Sequence, residues 1–576
     1  MRFCLRWAVV VFAALLLSVA GFYRWPLSSA FVTRQIGARV STAGFALRGP
    51  GSVTLSILPT PTLHVIDAEW DSPTGAPAIT APRASIRLGF LPLLAGRFEP
   101  LAILLRQPTA FIDLDAMPNA TQSPLGANPS SAGQWPAEIA IQQGLIHISS
   151  ASRHVDALIG DVEGTADYSG LSSPISANLR ATWRDEPLTI NLRVDQPAQG
   201  SNGADTTVSL TLTTNTARLR FDGDIFNNAT LGGSLSATIP ASSPLKRLLS
   251  LDEDTFVPLQ DVAFSGELAA RQDSVQLTQM RLSIGQQKFE GALTLQPTPR
   301  GATISGTLAA ETLNLDDFLA HFPPLFDAKG AWSDAPFHIP RFPDLTVDLR
   351  LSAAQVEWRG HRFDDAAMAL IGGDGQLTAS VLEASAYKGT LKGDLNLRRE
   401  TSGLALHASA DLANVDVGAM LAGFGLSAIS GQGSGEFDVG GTGASPAALV
   451  RGLEGNALVK LAGGEIEGLS FEEALRRSLR RSIDPANDMR MGRTVFTDAS
   501  ASLRIAHGQA RILAAALNGP GVNVGVHGDL DLMARQIDAK AVAIQTDSAG
   551  APTADGPRLT FDLSGPWLAP AVSPGG

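Results

Sequence analysis

The chain offers few groupings of residues that could do chemistry. Its nine histidines are scattered. His64, His147, His361 and His527 fall in strand-like alternation with no ligand partner at metal spacing, so each reads as a surface or edge residue and no metal site is expected. No G-x-S-x-G elbow presents a nucleophile. Gly431-Gln432-Gly433-Ser434-Gly435 has the composition of a phosphate loop, but it leads into the strand-like run Glu436 to Val439. A helix N-terminus to hold the anion is therefore missing, and a flexible turn is the better reading. The densest charged group is Arg476, Arg477, Arg480 and Arg481 in SFEEALRRSLRRS, residues 470–482. On a helix these arginines gather on one side while Phe471, Leu475 and Leu479 line another. Such a face could meet phospholipid headgroups; a solvated basic face is the plainer alternative. No catalytic residues and no cofactor are expected.

The elements that would position such groups are mostly strands. From about residue 50 onward apolar and polar residues alternate with period two, as in Leu188, Ile190, Leu192 and Val194, or Val208, Leu210 and Leu212. The 57 glycines and 35 prolines fall between these runs as turn signals, which favours antiparallel hairpins over βαβ units. A phrase Gly-x-Leu-x-Leu recurs at Gly291 to Leu295, Gly393 to Leu397 and Gly528 to Leu532, each closing a unit of two alternating strands. Recurrence of this kind implies an array that grows strand by strand. Helical signals are sparse: Leu313 to Phe322, opened by Asn314 and Asp316; Ser445 to Gly452, with Pro446 in its first turn; and residues 470–482, opened by a Ser470 and Glu473 capping box. Residues 117–134 and 546–557 read as flexible loops, and the sequon-like Asn119 and Asn228 are treated as chance.

Composition narrows the class. Of 576 residues, 44% are hydrophobic and only 17% charged, against roughly 25% charged in ordinary soluble domains. That suits a sheet with an apolar face no second layer fully covers. The net charge of −12, with no long basic cluster, removes the footprint of a nucleic-acid binder. The single cysteine, Cys4, leaves the body without disulfides.

Trp7 to Tyr23 is an uncharged run long enough as a helix, about 26 Å, to cross a bilayer core of about 30 Å with some thinning. Arg2 and Arg6 precede it, which places residues 1–6 in the cytoplasm and the body outside. Trp7, Phe12, Leu16, Phe22 and Tyr23 are its expected anchoring residues. Cleavage after Ser18-Val19-Ala20 is the alternative, and either way the body is exported.

These phrases together resemble the AsmA family of Gram-negative envelope proteins. The resemblance lies in LPTPTLHVIDAEW (Leu58 to Trp70), LGFLPLLAGRFEP (Leu88 to Pro100) and LAILLRQPTAFIDLD (Leu101 to Asp115) near the start. Towards the other end it lies in Gly435 to Arg476, VFTDASASLRIAHGQARI (Val495 to Ile512) and FDLSGPWLAP (Phe561 to Pro570). Residues 24–134 and 431–576 are the AsmA-like ends; 135–430 is legible only as repeats. The resemblance implies a bridge-like lipid transfer protein: a mainly β, elongated, curved antiparallel sheet, groove-like, built from repeated hairpins with a few short helices and one N-terminal transmembrane helix. At 15 to 19 residues per strand and turn, about 25 to 32 strands are expected, stacking to roughly 120–150 Å if unbroken. The implied role is non-catalytic phospholipid binding or transfer from a bacterial inner-membrane anchor, supporting outer-membrane biogenesis and envelope integrity. A scaffold regulating outer-membrane protein assembly or targeting, with envelope proteins as partners, is the alternative; a hydrolase lacks its residues.

Overall fold

Tight turns set the architecture. Type I′ hairpins need positive φ at both central residues, and that hand matches the twist of the strands they join. Arg359-Gly360, Asp374-Gly375 and His507-Gly508 adopt it, and so do Arg184-Asp185 and Tyr387-Lys388, which lack glycine. Each leaves two residues between partnered strands.

The computed structural model describes residues 18–19, 21–28, 46–48, 51–71, 77–95, 99–113, 138–150, 155–168, 174–195, 206–226, 230–240, 261–271, 273–298, 301–319, 322–337, 345–422, 429–478, 492–547, 551, 553, 556–567 and 570–575. Among them are 31 strands and five short helices: α1 (Phe90–Leu94), α2 (Leu315–Leu319), α3 (Val417–Ala422), α4 (Pro446–Arg451) and α5 (Phe471–Ser478). The fold is mostly β and mostly antiparallel, with hairpins as the repeating unit. The Gly-x-Leu-x-Leu phrases lie in the strands Gln287–Thr298, Gly389–Glu400 and, except for Leu532, Val522–Asp531. No helix of the described residues is long and apolar enough to cross a membrane. Trp7 to Leu17 lie outside those residues, as do loop 117–134 and residues 479–482.

The chain divides into two units. The first is Met1–Glu253, Val257–Gly285 and Ala292–Gly301; the second is Asp254–Phe256, Gln286–Gly291 and Ala302–Gly576. In the first, Trp25–Leu27 pairs with Ser52–Ser56, and antiparallel neighbours follow to Pro100–Arg106. A parallel pairing onto Glu138–Ser150 comes next, then hairpins to Val275–Ile284. Its apolar residues share one face: the ladder partners Leu63, Ile86, Ile103, Ile139 and Ala166 follow one another across five strands. The tightest packing is at the first strands, around Val53, Leu63, Val65, Ala84 and Leu88.

The second unit opens with another parallel pair, Gly301–Asn314 beside Leu345–Trp358, and then runs antiparallel to Ala571–Pro574. Its helices follow the expected signals in part. Asn314 accepts from Asp316 N at the start of α2, and Ser445 caps α4 from one residue before Pro446. Ser470 accepts from Glu473 N at α5. Thr546, expected in a flexible loop, is buried, and Asp547 Oδ1 closes a turn by accepting from Ala551 N.

Two expectations are corrected. Residues 431–435 are not a turn but part of the strand Ile429–Gly443. Their glycines serve packing: a Cβ on Gly433 would come within 2.6 Å of Val417 Cγ2 and 2.8 Å of Leu461 Cδ2. His361 is not at the surface. It is 4% exposed, with its Nδ1 on the Tyr387 hydroxyl and its ring beside Trp358.

Candidate functional site: the apolar face of the second unit

Period-two alternation puts one set of side chains on each face, and the register shows that every strand of the second unit turns its apolar set the same way. One row of ladder partners runs Leu349, Leu370, Ala379, Leu395, Ala408, Val439, Gly455, Ile505, Ala510 and Leu530. The neighbouring row carries Leu351, Met368, Val381, Gly393, Ala410, Phe437, Ala457 and Leu503. Neither row contains a charge. The opposite face is wet: Thr378 donates to Asn396 at 2.7 Å, and Arg511 meets Asp529 at 3.0 Å.

Bulges interrupt the count without mixing the faces. Asp365 at φ 51° and Asn414 at φ 56° sit where pairing shifts, between Asp364 and Ala367 and between Leu412 and Val415. The extra residue bends the strand locally and increases its twist.

Chain reach shows that this unit is curled. Helix α2 sits beside the Trp358 end of Leu345–Trp358, where Asp316 Oδ2 accepts from Arg359 N at 3.0 Å. Seven residues later the Phe326 ring lies 4.9 Å from the guanidinium carbon of Arg535, in the turn after Val522–Asp531 and at the opposite strand end. In a flat sheet these places, nine strands apart, would be separated by about 55 Å. Seven residues span at most about 25 Å, and the two side chains add about 12 Å. The sheet must bend to bring them together.

The described part of the crossover, residues 322–337, is the chord of that bend. Ala447 N donates to Ser333 O, and Phe337 N to Ala444 O, so it lies against α4. Helix α4 sits on the apolar face: a Cβ on Gly441, ladder partner of Leu406, would stand 3.1 Å from Leu449 O. The apolar face is therefore the concave one.

Coverage of that face is uneven. Helix α5 lays Phe471, Ala474 and Leu475 over Phe496, Val522, Val524, Ala541 and Phe561 and makes a sealed core. Farther along, Leu349, Leu370, Leu377, Leu395, Leu397, Leu406 and Val439 are only half-buried. Helix α3 and the His361, Tyr387 and Trp358 group stand at one end of the strands, while α4, the crossover and Arg399 stand at the other. At that second end Arg535 stacks on the Phe326 and Trp567 rings and donates to Gly330 O at 2.9 Å, and Trp332 Nε1 donates to Leu532 O at 2.8 Å. The result is an uncharged concave strip with polar groups at its rims, the shape and chemistry that suit an acyl chain with its headgroup outward.

Titration is perturbed mainly at the ends. Desolvation pushes the Tyr387 hydroxyl up. The hydrogen bond from Lys388 Nζ, 2.9 Å, holds the Asp416 carboxyl below its ordinary range, aided by Ala419 N. In the first unit burial lowers His64, and Arg24 and Arg106 lower it further.

Of the four arginines singled out by sequence, two lie among the described residues. Arg476 is exposed and pairs with Glu473 on its own helix, and Arg477 lies in the last turn of α5. Arg480 and Arg481 are outside the described residues. Of the anchor residues Phe22 and Tyr23 are described, and both are exposed; Trp7, Phe12 and Leu16 lie outside. Among the described residues no group of three or more His, Cys, Asp or Glu is placed to hold a metal ion. The crossover and Arg535 escaped the sequence reading, since only the parallel pair it serves would have signalled a chord.

Comparison with curated proteins and with solved structures finds no match. The model of the AsmA family matches residues 310–514, from the end of Gly301–Asn314 to the middle of Gln509–Gly519, and so covers most of the half-exposed strip. Over that segment the chain is similar to the AsmA family.

Proposed function

We propose that the protein is a non-catalytic phospholipid carrier, anchored in the bacterial inner membrane by Trp7 to Tyr23 with its body in the periplasm, supporting outer-membrane biogenesis. Similarity to that family supports an envelope-associated role. The lipid reading rests chiefly on one observation: the six successive strands from Leu345–Trp358 to Ile429–Gly443 present an uncharged apolar strip, Leu349 to Val439, that stays half-buried outside the core closed by α5. Each CH₂ moved from water onto such a surface contributes about 0.8 kcal/mol, so an acyl chain is a natural occupant.

The test is lipid retention. Full-length protein is purified in mild detergent and its bound phospholipid counted by mass spectrometry. Leu395→Glu and Val439→Glu on the strip should lower the count several-fold, whereas Ser380→Glu on the wet face should not. Equal lipid content in all three would refute the reading. Lipid retained undiminished in all three would point instead to the anchor as its site, and crosslinks to envelope proteins that survive strip charges would favour the scaffold role.

A further inference from the structure

The first unit carries an apolar surface at one strand end that the lipid strip does not include. The five most exposed large hydrophobic side chains among the described residues are Leu91, Leu94, Phe22, Val19 and Tyr23, at 58 to 77%. Backbone hydrogen bonds bring them to the same place. Gly21 O accepts from both Ile57 N (3.0 Å) and Leu58 N (2.8 Å) at the turn between Ser52–Ser56 and Thr62–Asp71. At that same turn Leu88 N donates to Pro61 O, and α1 begins two residues later. Such a concentration is far from the scattered single exposures that need no explanation.

Helix α1 is divided. Its Leu93 packs on the core around Leu63, Ile86 and Leu88, while Phe90, Leu91 and Leu94 face solvent. Arg24 and Arg87 are exposed at the same end. Apolar side chains bordered by basic ones are the composition that enters the headgroup boundary of an anionic bilayer. Position favours the bilayer as occupant, because the uncharged run Trp7 to Tyr23 ends at this surface and holds it within a few residues of wherever that run lies.

We infer that α1 is a membrane-inserting wedge, seated in the phospholipid surface beside the N-terminal segment. Because Leu93 on the same helix touches the apolar face of the first unit, the wedge places the start of that face against lipid. The inference rests on the membrane reading above and gives it an entry point.

The lone Cys4 makes the test direct. In a Cys4→Ser background, single cysteines at Phe12→Cys, Leu91→Cys, Leu94→Cys and Leu158→Cys carry an environment-sensitive fluorophore. The full chain is reconstituted in phosphatidylethanolamine and phosphatidylglycerol vesicles containing lipid with a nitroxide high on the acyl chain. Labels at 91 and 94 should be quenched several-fold more than the label at 158, an exposed leucine elsewhere in the unit. Quenching at 12 but none at 91 and 94 above the level at 158 overturns the wedge and leaves the anchor standing. Quenching at 91 and 94 but not at 12 keeps the wedge and removes the anchor. Absence of quenching at all three refutes both.

Discussion

Two stretches of the second unit share one pattern and differ in fate. Around Val522, Ala541 and Phe561 the apolar face is closed by α5, whereas around Leu349, Leu395 and Val439 the same kind of face stays half-open. Strand sequence does not separate them, since both alternate with period two and both pair antiparallel. What separates them is whether the chain spends a helix on the surface. A closed face stabilises the fold; an open one leaves apolar area for something else to cover.

The comparison breaks first if α5 is not a lid. Phe471→Ala removes a buried ring and should cost about 3–5 kcal/mol. The loss should appear as hydrogen-exchange protection falling across Val522–Asp531 and Gln536–Gln545; unchanged protection there would mean the helix merely rests on the sheet. A matched pair sharpens the point. Leu475→Ala on the buried face of the lid should cost about 2–5 kcal/mol, but Leu395→Ala on the open strip less than about 1.5 kcal/mol, because little area leaves water there on folding. Equal losses would show the strip to be core.

Arg535→Ala, at the rim, removes two cation–π contacts worth about 0.5–2 kcal/mol in all. Exchange in residues 322–337 should rise while the α5 core keeps its protection. The smallest effect is at the other rim. Asp416→Ala deletes the carboxylate that accepts from Ala419 N at the start of α3, at a cost of about 1 kcal/mol. The wild type should follow a matching pH dependence. The Asp416 carboxyl is held below its ordinary value of 3.8, so its stabilisation is present above that value and lost as pH falls through the lowered one. Protection of 417–422 should therefore drop below about pH 3.8 in the wild type and lose that dependence in the variant.

Much of this was legible from residues alone. Alternation gave the strands, glycine-bearing pairs marked several hairpins, and side-chain caps at Asn314, Ser445 and Ser470 marked three helices. Helix α1 was hidden because Pro92 lies inside it and Gly89 supplies no capping side chain. Helix α3 was hidden because Val415-Asp416-Val417 continues the alternation it interrupts. His361 shares its parity with Phe363, which places it on the apolar face; the bulge at Asp365 then shifts the count and masks that kinship. The concavity could not be read at all, since it depends on bulges and on a crossover whose partners lie some 200 residues away.

The parallel pairs carry a consequence for how such a chain changes length. Inserting or deleting a whole hairpin adds or removes two strands, about 10 Å, and returns the chain to the same edge running in the same direction. Gene duplication can therefore lengthen the array without disturbing its neighbours. A change of one strand reverses the running direction, and the next strand must then be reached by a long return path. Among the described residues, Gly301–Asn314 beside Leu345–Trp358, and Pro100–Arg106 beside Glu138–Ser150, are places where the chain makes such a return. They mark the seams at which an odd number of strands can be tolerated in descent.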